Sequence, residues 1–265
     1  MGRIILDSNA VLRSSGRWTA AEPAPDLSLQ DTTYSFATEI PTGWADPTNN
    51  NGNYNLDFQI SNGFLQQGSG SPLVISGGNG NPYGMIGMIS PQLWDNPGTD
   101  IDVQIQFAWN ASADTSNENA GIGIALDPTG TTNNARPADI GVVSDRNFNR
   151  IKPSRYHPNT DLSTNWTGMT ANNTNVHGLS GSELTADGST LHTLGFSVRT
   201  TGGAALMTTY FDGVEQKAEF GLGSPETAIF NAADRVVIRW DQANVSKYNF
   251  KTKQVRIAPR GTIFP

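Results

Sequence analysis

Cysteine is absent from this chain of 265 residues, which excludes disulfide staples and thiolate metal sites. Charge is scarce. Asp, Glu, Lys and Arg make up 15% of the residues, and acids exceed bases to a formal net charge of -7. That balance argues against specific nucleic-acid binding. No apolar run approaches the ~20 residues of a membrane-crossing helix, so no membrane partner is expected. The first apolar run, residues 4–6, is too short for a secretory leader. Long stretches with apolar residues at i, i+3, i+4 and i+7 are also missing, and helix is expected to be scarce. A cysteine-free chain of this kind fits the cytosol or a virus particle assembled there. A secreted or cell-surface sandwich without disulfides is the alternative.

What is plentiful points to β structure. The 28 Gly and 15 Pro, with many Asn, Ser and Thr, are the composition of short strands joined by turns. Residues 191–220 show the pattern most clearly. Leu194, Phe196 and Val198 alternate with Thr193, Gly195, Ser197 and Arg199, which places the apolar set on one strand face. Gly202 and Gly203 offer a turn, residues 206–211 a second strand, and Asp212-Gly213 a hairpin turn in which both positions tolerate positive φ. Val214, Gln216, Ala218 and Phe220 then alternate with Glu215, Lys217 and Glu219. Three such strands make a meander with one dry face, and a dry face needs a second layer to cover it.

The rest of the chain divides around that meander. Residues 1–30 read as an extended arm that ends in a stiff Ala/Pro linker. Residues 31–260 read as one sandwich, and residues 261–265 as a C-terminal tail. Tyr34 and Phe36 open the alternation, and Leu56, Phe58 and Ile60 continue it. Ile101, Val103, Ile105, Phe107 and Trp109 form the best single strand, with residues 121–126 as a natural partner. Residues 127–190 are rich in Asn, Thr, Gly and Pro and read as a long loop insertion. Val236, Ile238 and Trp240, then Val255 and Ile257, mark the last strands.

The order of these pieces resembles a known family. Asn-Gly-Phe-Leu at 62–65, the long strand at 100–109 and Ala-Gly-Ile-Gly-Ile-Ala at 120–125 come first. Leu-His-Thr-Leu-Gly-Phe-Ser-Val at 191–198, Tyr-Phe-Asp-Gly-Val at 210–214 and Gln-Val-Arg-Ile at 254–257 follow. Together they are similar to the concanavalin A-like lectin/glucanase jelly rolls, laminin G-like modules included. The resemblance implies an all-β fold of two curved antiparallel sheets, with any sugar site on the concave face or its rim loops. It does not fix an activity, because that superfamily holds lectins, hydrolases, lyases and inert modules.

Candidate chemistry is sparse. The Glu-x-Asp-x-x-Glu strand motif of the family's glucanases is absent. Asp100 and Asp102 share a strand face but read as a strand start, and Glu215, Lys217 and Glu219 as a solvated face. His192 sits at a structural position. His157, beside Arg155 and Tyr156, is the better proton acceptor for a lyase-like reaction. No metal site is expected. Asp145, Asn147 and Asn149 mimic the first half of a calcium loop, but Arg150 and Tyr156 stand where Gly and Glu are required. A looser calcium site in a lectin-like loop stays open. Sugar binding asks for aromatic faces near amides and carboxylates. Trp94, Arg155, Tyr156, His157 and Trp166 are the candidates for it, with Trp44 and Tyr83 as further loop aromatics.

Basic residues gather at both ends. Arg3, Arg13 and Arg17 lie in the arm, and Lys251, Lys253, Arg256 and Arg260 follow the last acid, Asp241. They are expected to dock on an acidic neighbour. The reading is therefore a non-enzymatic structural or adhesive protein of a larger assembly, with a virion or phage particle as its setting. Its expected partners are further copies of itself, other particle proteins and surface polysaccharide. A polysaccharide hydrolase or lyase of the same fold, and a free-standing soluble lectin, are the alternatives.

Overall fold

The computed structural model describes residues 10–12, 18–20, 28–45, 58–67, 84–86, 88–111, 120–128, 140–145, 150–155, 167–168, 177–178, 185, 187–242 and 248–265. Within the arm, β1 (Ala10–Leu12) and β2 (Trp18–Ala20) pair as a small antiparallel sheet of their own. The sandwich begins with β3 (Thr32–Ser35), β4 (Phe58–Ser61), β5 (Phe64–Gln67), β6 (Gly84–Ile86) and β7 (Ile101–Ala111). It continues with β8 (Ala120–Pro128), β9 (Ile140–Asp145), β10 (Arg150–Arg155), β11 (Thr167–Gly168) and β12 (His177–Gly178). The meander is β13 (His192–Thr201), β14 (Ala204–Phe211) and β15 (Val214–Gly221). Helix α1 (Ser224–Ala232), β16 (Ala233–Gln242) and β17 (Tyr248–Pro259) complete the chain.

Two antiparallel sheets form. An eight-stranded sheet runs β15-β14-β13-β7-β17-β5-β4, with β3 added on β17. A seven-stranded sheet runs β11-β10-β9-β8-β16-β6, with β12 added on β10. The alternation read from the sequence places the core between them. Ile101, Val103, Ile105 and Phe107 of β7 and Leu194, Phe196 and Val198 of β13 are buried. They share one cluster with Ile122, Ile124 and Leu126 of β8 and Val236 and Ile238 of β16. Each such side chain stabilises the fold by about 1.5–3 kcal/mol.

The turns follow their local signals. Asp212 and Gly213 adopt φ of 48° and 77°, and Gly202 and Gly203 adopt 56° and 85°, so both meander connections are two-residue hairpins of positive φ.

One expectation is corrected. Residues 127–190 are more than a loop insertion, because β9 to β12 come from them and extend the seven-stranded sheet. Apart from Val142 of β9 in the core, these strands contribute little apolar alternation, and pairing defines them. Asp145 pairs with Arg150, and β10 occupies positions that a twelve-residue calcium loop would need. Helix α1 was not anticipated, although Pro225 and Glu226 in its first turn are the usual start signal.

Candidate functional site

The outer face of the eight-stranded sheet holds the most organised polar cluster among the described residues. Alternation along β7 turns Asp102, Gln104 and Gln106 away from the core, and register sets them beside Ser197, Gly195 and Thr193 of β13. Tyr210 of β14 lies next to Gly195, and Thr208 next to Ser197. Asp102 is fully buried although it faces outward, because the chain's last residues cross over it. Its Oδ1 accepts the Ser197 hydroxyl at 2.6 Å. Its Oδ2 accepts the backbone N–H groups of Thr262, Ile263 and Phe264 at 3.0, 2.9 and 3.3 Å. One carboxylate oxygen thus accepts from three consecutive amides.

The Phe264 ring lies in the space that Gly195 leaves open and stacks on Tyr210, with centroids 4.0 Å apart and planes 2° from parallel. Burial raises the Tyr210 phenol above its ordinary pKa.

A second cluster closes the end of the meander. His192 is buried and stacks on Phe211. Its Nε2 accepts the Thr185 N–H at 3.0 Å, so the ring proton sits on Nδ1 and donates to Asp212 Oδ2 at 2.8 Å. Asp212 Oδ1 accepts the Thr193 N–H at 2.7 Å. Nearby, Asp187 accepts the N–H groups of Ser189 and Thr190 and the Thr190 hydroxyl. Those bonds, the Thr190 N–H first, hold its carboxyl well below the usual carboxylate range. Both nitrogens of His192 are engaged within the protein, in keeping with the packing role its position suggested.

The sugar-site candidates separate. Trp94 is a correction. It is 2% exposed, and its indole N–H donates to the Ala233 carbonyl at 2.9 Å, so its ring belongs to the core and offers no face to a ligand. Trp44 is likewise buried, edge-on to Phe36. Arg155 ends β10 opposite Thr167 of β11, the edge strand of its sheet. Tyr156, His157 and Trp166 belong to the chain joining those two positions and, like Tyr83, lie outside the described residues.

The C-terminal cations have partners within the chain. Arg256 grips Asp31 through two bonds of 2.9 and 2.8 Å, and the guanidinium holds the Asp31 carboxyl below its ordinary value. Arg260 reaches Glu219 at 3.4 Å, and Arg199 holds the same carboxylate in a two-point pair. Lys251 donates to the Gly188 carbonyl at 3.0 Å and lies over the Phe64 ring. Lys253 is half-buried, and its carbonyl accepts the Phe36 N–H. Arg3, Arg13 and Arg17 lie outside the described residues.

Some other carboxylates among the described residues are engaged or buried. Asp100 accepts the Thr200 N–H and hydroxyl. Asp127, Glu226 and Asp234 are buried, Asp234 beside Arg235 at 3.3 Å. Among the described residues no group of His, Asp and Glu is arranged to hold a metal ion.

Tyr210, Gly195 and Phe264 carry no sequence signal for this face, and Asp102 reads in the sequence only as a strand start. The one local hint is the polar series Asp102, Gln104, Gln106, which marks an outward face. Nothing near it announces a partner some 160 residues away in the chain.

No protein-family model matches the sequence, and no curated protein matches it. Solved structures do. The metal-free carbohydrate recognition domain of Emp46p superimposes with a TM-score of 0.55 at 8% identity, over 86% of this chain and 95% of that one. The Emp47p carbohydrate recognition domain gives 0.53 at 10% identity, over 89% and 96%. The endo-1,3-beta-glucanase of Streptomyces sioyaensis gives 0.53 at 10% identity, over 89% and 98%. The fold is therefore the concanavalin A-like sandwich, shared by lectins and glucanases.

Proposed function

We propose that this chain is a carbohydrate-binding protein that recognises glycans without cleaving them and is displayed by a larger assembly. The observation that carries the non-catalytic part is that, among the described residues, six carboxylates are engaged within the chain. Asp100, Asp102, Asp187 and Asp212 hold backbone amides, and Asp31 and Glu219 hold arginines. Glycoside hydrolysis needs two carboxyl groups facing one bond. The fold adds support, because it is the one shared by the carbohydrate recognition domains above. The binding residues are proposed to be Arg155 at the end of β10 and Tyr156, His157 and Trp166 in the chain that follows it.

The assembly is proposed to be a virion or phage particle in which further copies or other particle proteins are the partners. Docking falls to the arm and its Arg3, Arg13 and Arg17, since Lys251, Arg256 and Arg260 are engaged internally.

Two measurements test the reading. On a glycan array the intact protein should bind a defined set of polysaccharides, and Arg155→Ala with Trp166→Ala should weaken that binding at least tenfold at unchanged melting temperature. Release of reducing ends or unsaturated sugars from a bound polysaccharide would replace the binding protein with an enzyme. For the assembly, light scattering should show an oligomer that a protein lacking residues 1–30 cannot form. The same mass per particle in both would remove the arm from docking.

A further inference from the structure

We propose that the C-terminal segment, residues 260–265, is a strap over a second saccharide subsite on the outer face of the eight-stranded sheet, and that a pyranose takes its place. The inference rests on the carbohydrate-binding reading but concerns a different surface from the end of β10.

The covered surface has the chemistry of a sugar subsite. Tyr210 supplies an aromatic plate, Asp102 a carboxylate, Ser197, Thr193 and Thr208 hydroxyl groups, and Gln104 and Gln106 amides, all on neighbouring outward register positions. Gly195 keeps the floor flat, since a Cβ there would come within 2.5 Å of the Phe264 ring.

The occupant indicates the size and polarity of what fits. Phe264 alone spans the subsite: its N–H reaches Asp102 at 3.3 Å while its ring covers Tyr210 at 4.0 Å. A pyranose has the same two faces, with C–H groups on one side for the Tyr210 plate and hydroxyl donors at its rim for the carboxylate. Three N–H donors on Asp102 Oδ2 become sugar O–H donors without any change in the acceptor.

The strap is built to lift. Its Ile263 and Phe264 amides bond to the Asp102 side chain, and the Thr262 N–H is shared between Asp102 and the Pro259 carbonyl at 3.2 Å, so its departure breaks that turn bond but no pairing between strands. Gly261, at φ of 81°, gives the turn from which it leaves β17. At the near end Arg260 is exposed, with a side-chain contact to Glu219 at 3.4 Å and a backbone bond to the Asp100 carbonyl at 3.3 Å, so few contacts hold it.

The experiment compares the intact protein with one ending at Arg260. The probes are the methyl glycosides of glucose, galactose and mannose and their β-linked disaccharides. Binding is followed by calorimetry and by NMR shifts of the Tyr210 ring. The truncated protein should bind at least one probe ten or more times more tightly than the intact one. Tyr210→Ala in the truncated protein should abolish that gain, and the peptide Gly-Thr-Ile-Phe-Pro should compete with the sugar. Should the truncated protein not fold, Phe264→Ala in the full chain bares the Tyr210 plate while leaving the Asp102 bonds, and should show a smaller gain at the same ring.

A folded truncated protein that binds no probe overturns the subsite. If the intact protein still reads glycans on an array in that case, the proposed function stands without this surface. Silence in both assays removes both. A concentration-dependent dimer of the full chain that becomes monomeric on truncation, with no sugar gain, would assign the slot to a second copy's tail and overturn the subsite.

Discussion

Substituting Gly195 by Ala tests the packing under the C-terminal segment. The backbone at this position is extended strand, so alanine meets no φ penalty. In open space the change would stabilise by about 0.4–1 kcal/mol through the unfolded chain. The slot reverses that sign. A Cβ on Gly195 would lie 2.5 Å from the Phe264 Cζ and 2.5 Å from the Val103 carbonyl oxygen. Phe264 is backed by Tyr210 at 4.0 Å, and Val103 is fixed in the β7–β13 ladder, so neither neighbour yields freely. Overpacking of this kind costs about 1–3 kcal/mol, and the net loss should be about 1–2 kcal/mol. For a domain of this size that corresponds to a melting temperature lower by roughly 2–8 °C. Chemical denaturation of wild type, Gly195→Ala, Phe264→Ala and the double variant closes a cycle. In the Phe264→Ala background the ring clash is gone and the carbonyl clash remains, so the cost of Gly195→Ala should shrink by about 0.5 kcal/mol or more without vanishing. A Gly195→Ala protein as stable as wild type, or a cost indifferent to Phe264, would refute the packing argument.

Other parts of the fold make equally definite expectations. His192→Ala should cost about 2–4 kcal/mol, from the lost ring and the two stranded partners; hydrogen exchange should quicken at residues 185–190, and nitrogen-15 NMR of the wild type should place the ring proton on Nδ1. Gly141→Ala should cost more than about 3 kcal/mol, because its Cβ would meet the Ile124 carbonyl oxygen at 2.1 Å and the Ala125 Cα at 2.6 Å, both backbone atoms of the ladder; near-normal stability would be the contrary result. Acid should loosen the two arginine clasps. Asp31 and Glu219 titrate below their ordinary values of 3.8 and 4.5 because Arg256 and Arg199 bind them. Their stabilising contribution is therefore complete above those values and lost as pH falls through the lower folded ones. Amide exchange in β3 and β15 should rise below about pH 4, and Asp31→Asn should remove the pH dependence in β3 alone.

The features legible in the sequence are those that one short stretch determines. Asp212-Gly213 announces its hairpin because the positive φ it needs is a property of two residues. The β7 alternation announces its buried face because the period of a strand is a property of one strand. What stayed hidden depends on distant neighbours. Trp94 reads as a loop aromatic, yet the Ala233 carbonyl, supplied by another part of the chain, gives its indole a buried partner and turns it into core. The strands from β9 to β12 carry little apolar alternation and are strands because each finds an edge to pair with, β9 on β8, β10 on β9, and β11 and β12 on β10.

The basic C-terminus shows why charge in a sequence does not identify a partner. Lys251, Arg256 and Arg260 follow the last acid in the chain, and by sequence alone they look unmatched. In the fold, β17 lies between β3 and β7, which brings Arg256 to Asp31 across more than two hundred residues. Glu219 serves both Arg199 and Arg260. These three cations are thus fasteners of one domain, and an external acidic surface would have to displace an existing partner to bind them. Neutralising Arg256 should therefore loosen β3 before it affects any association. That order can be read directly, by comparing hydrogen exchange in β3 with particle mass in an Arg256→Gln variant. A change in mass with β3 still protected would return this residue to the docking surface.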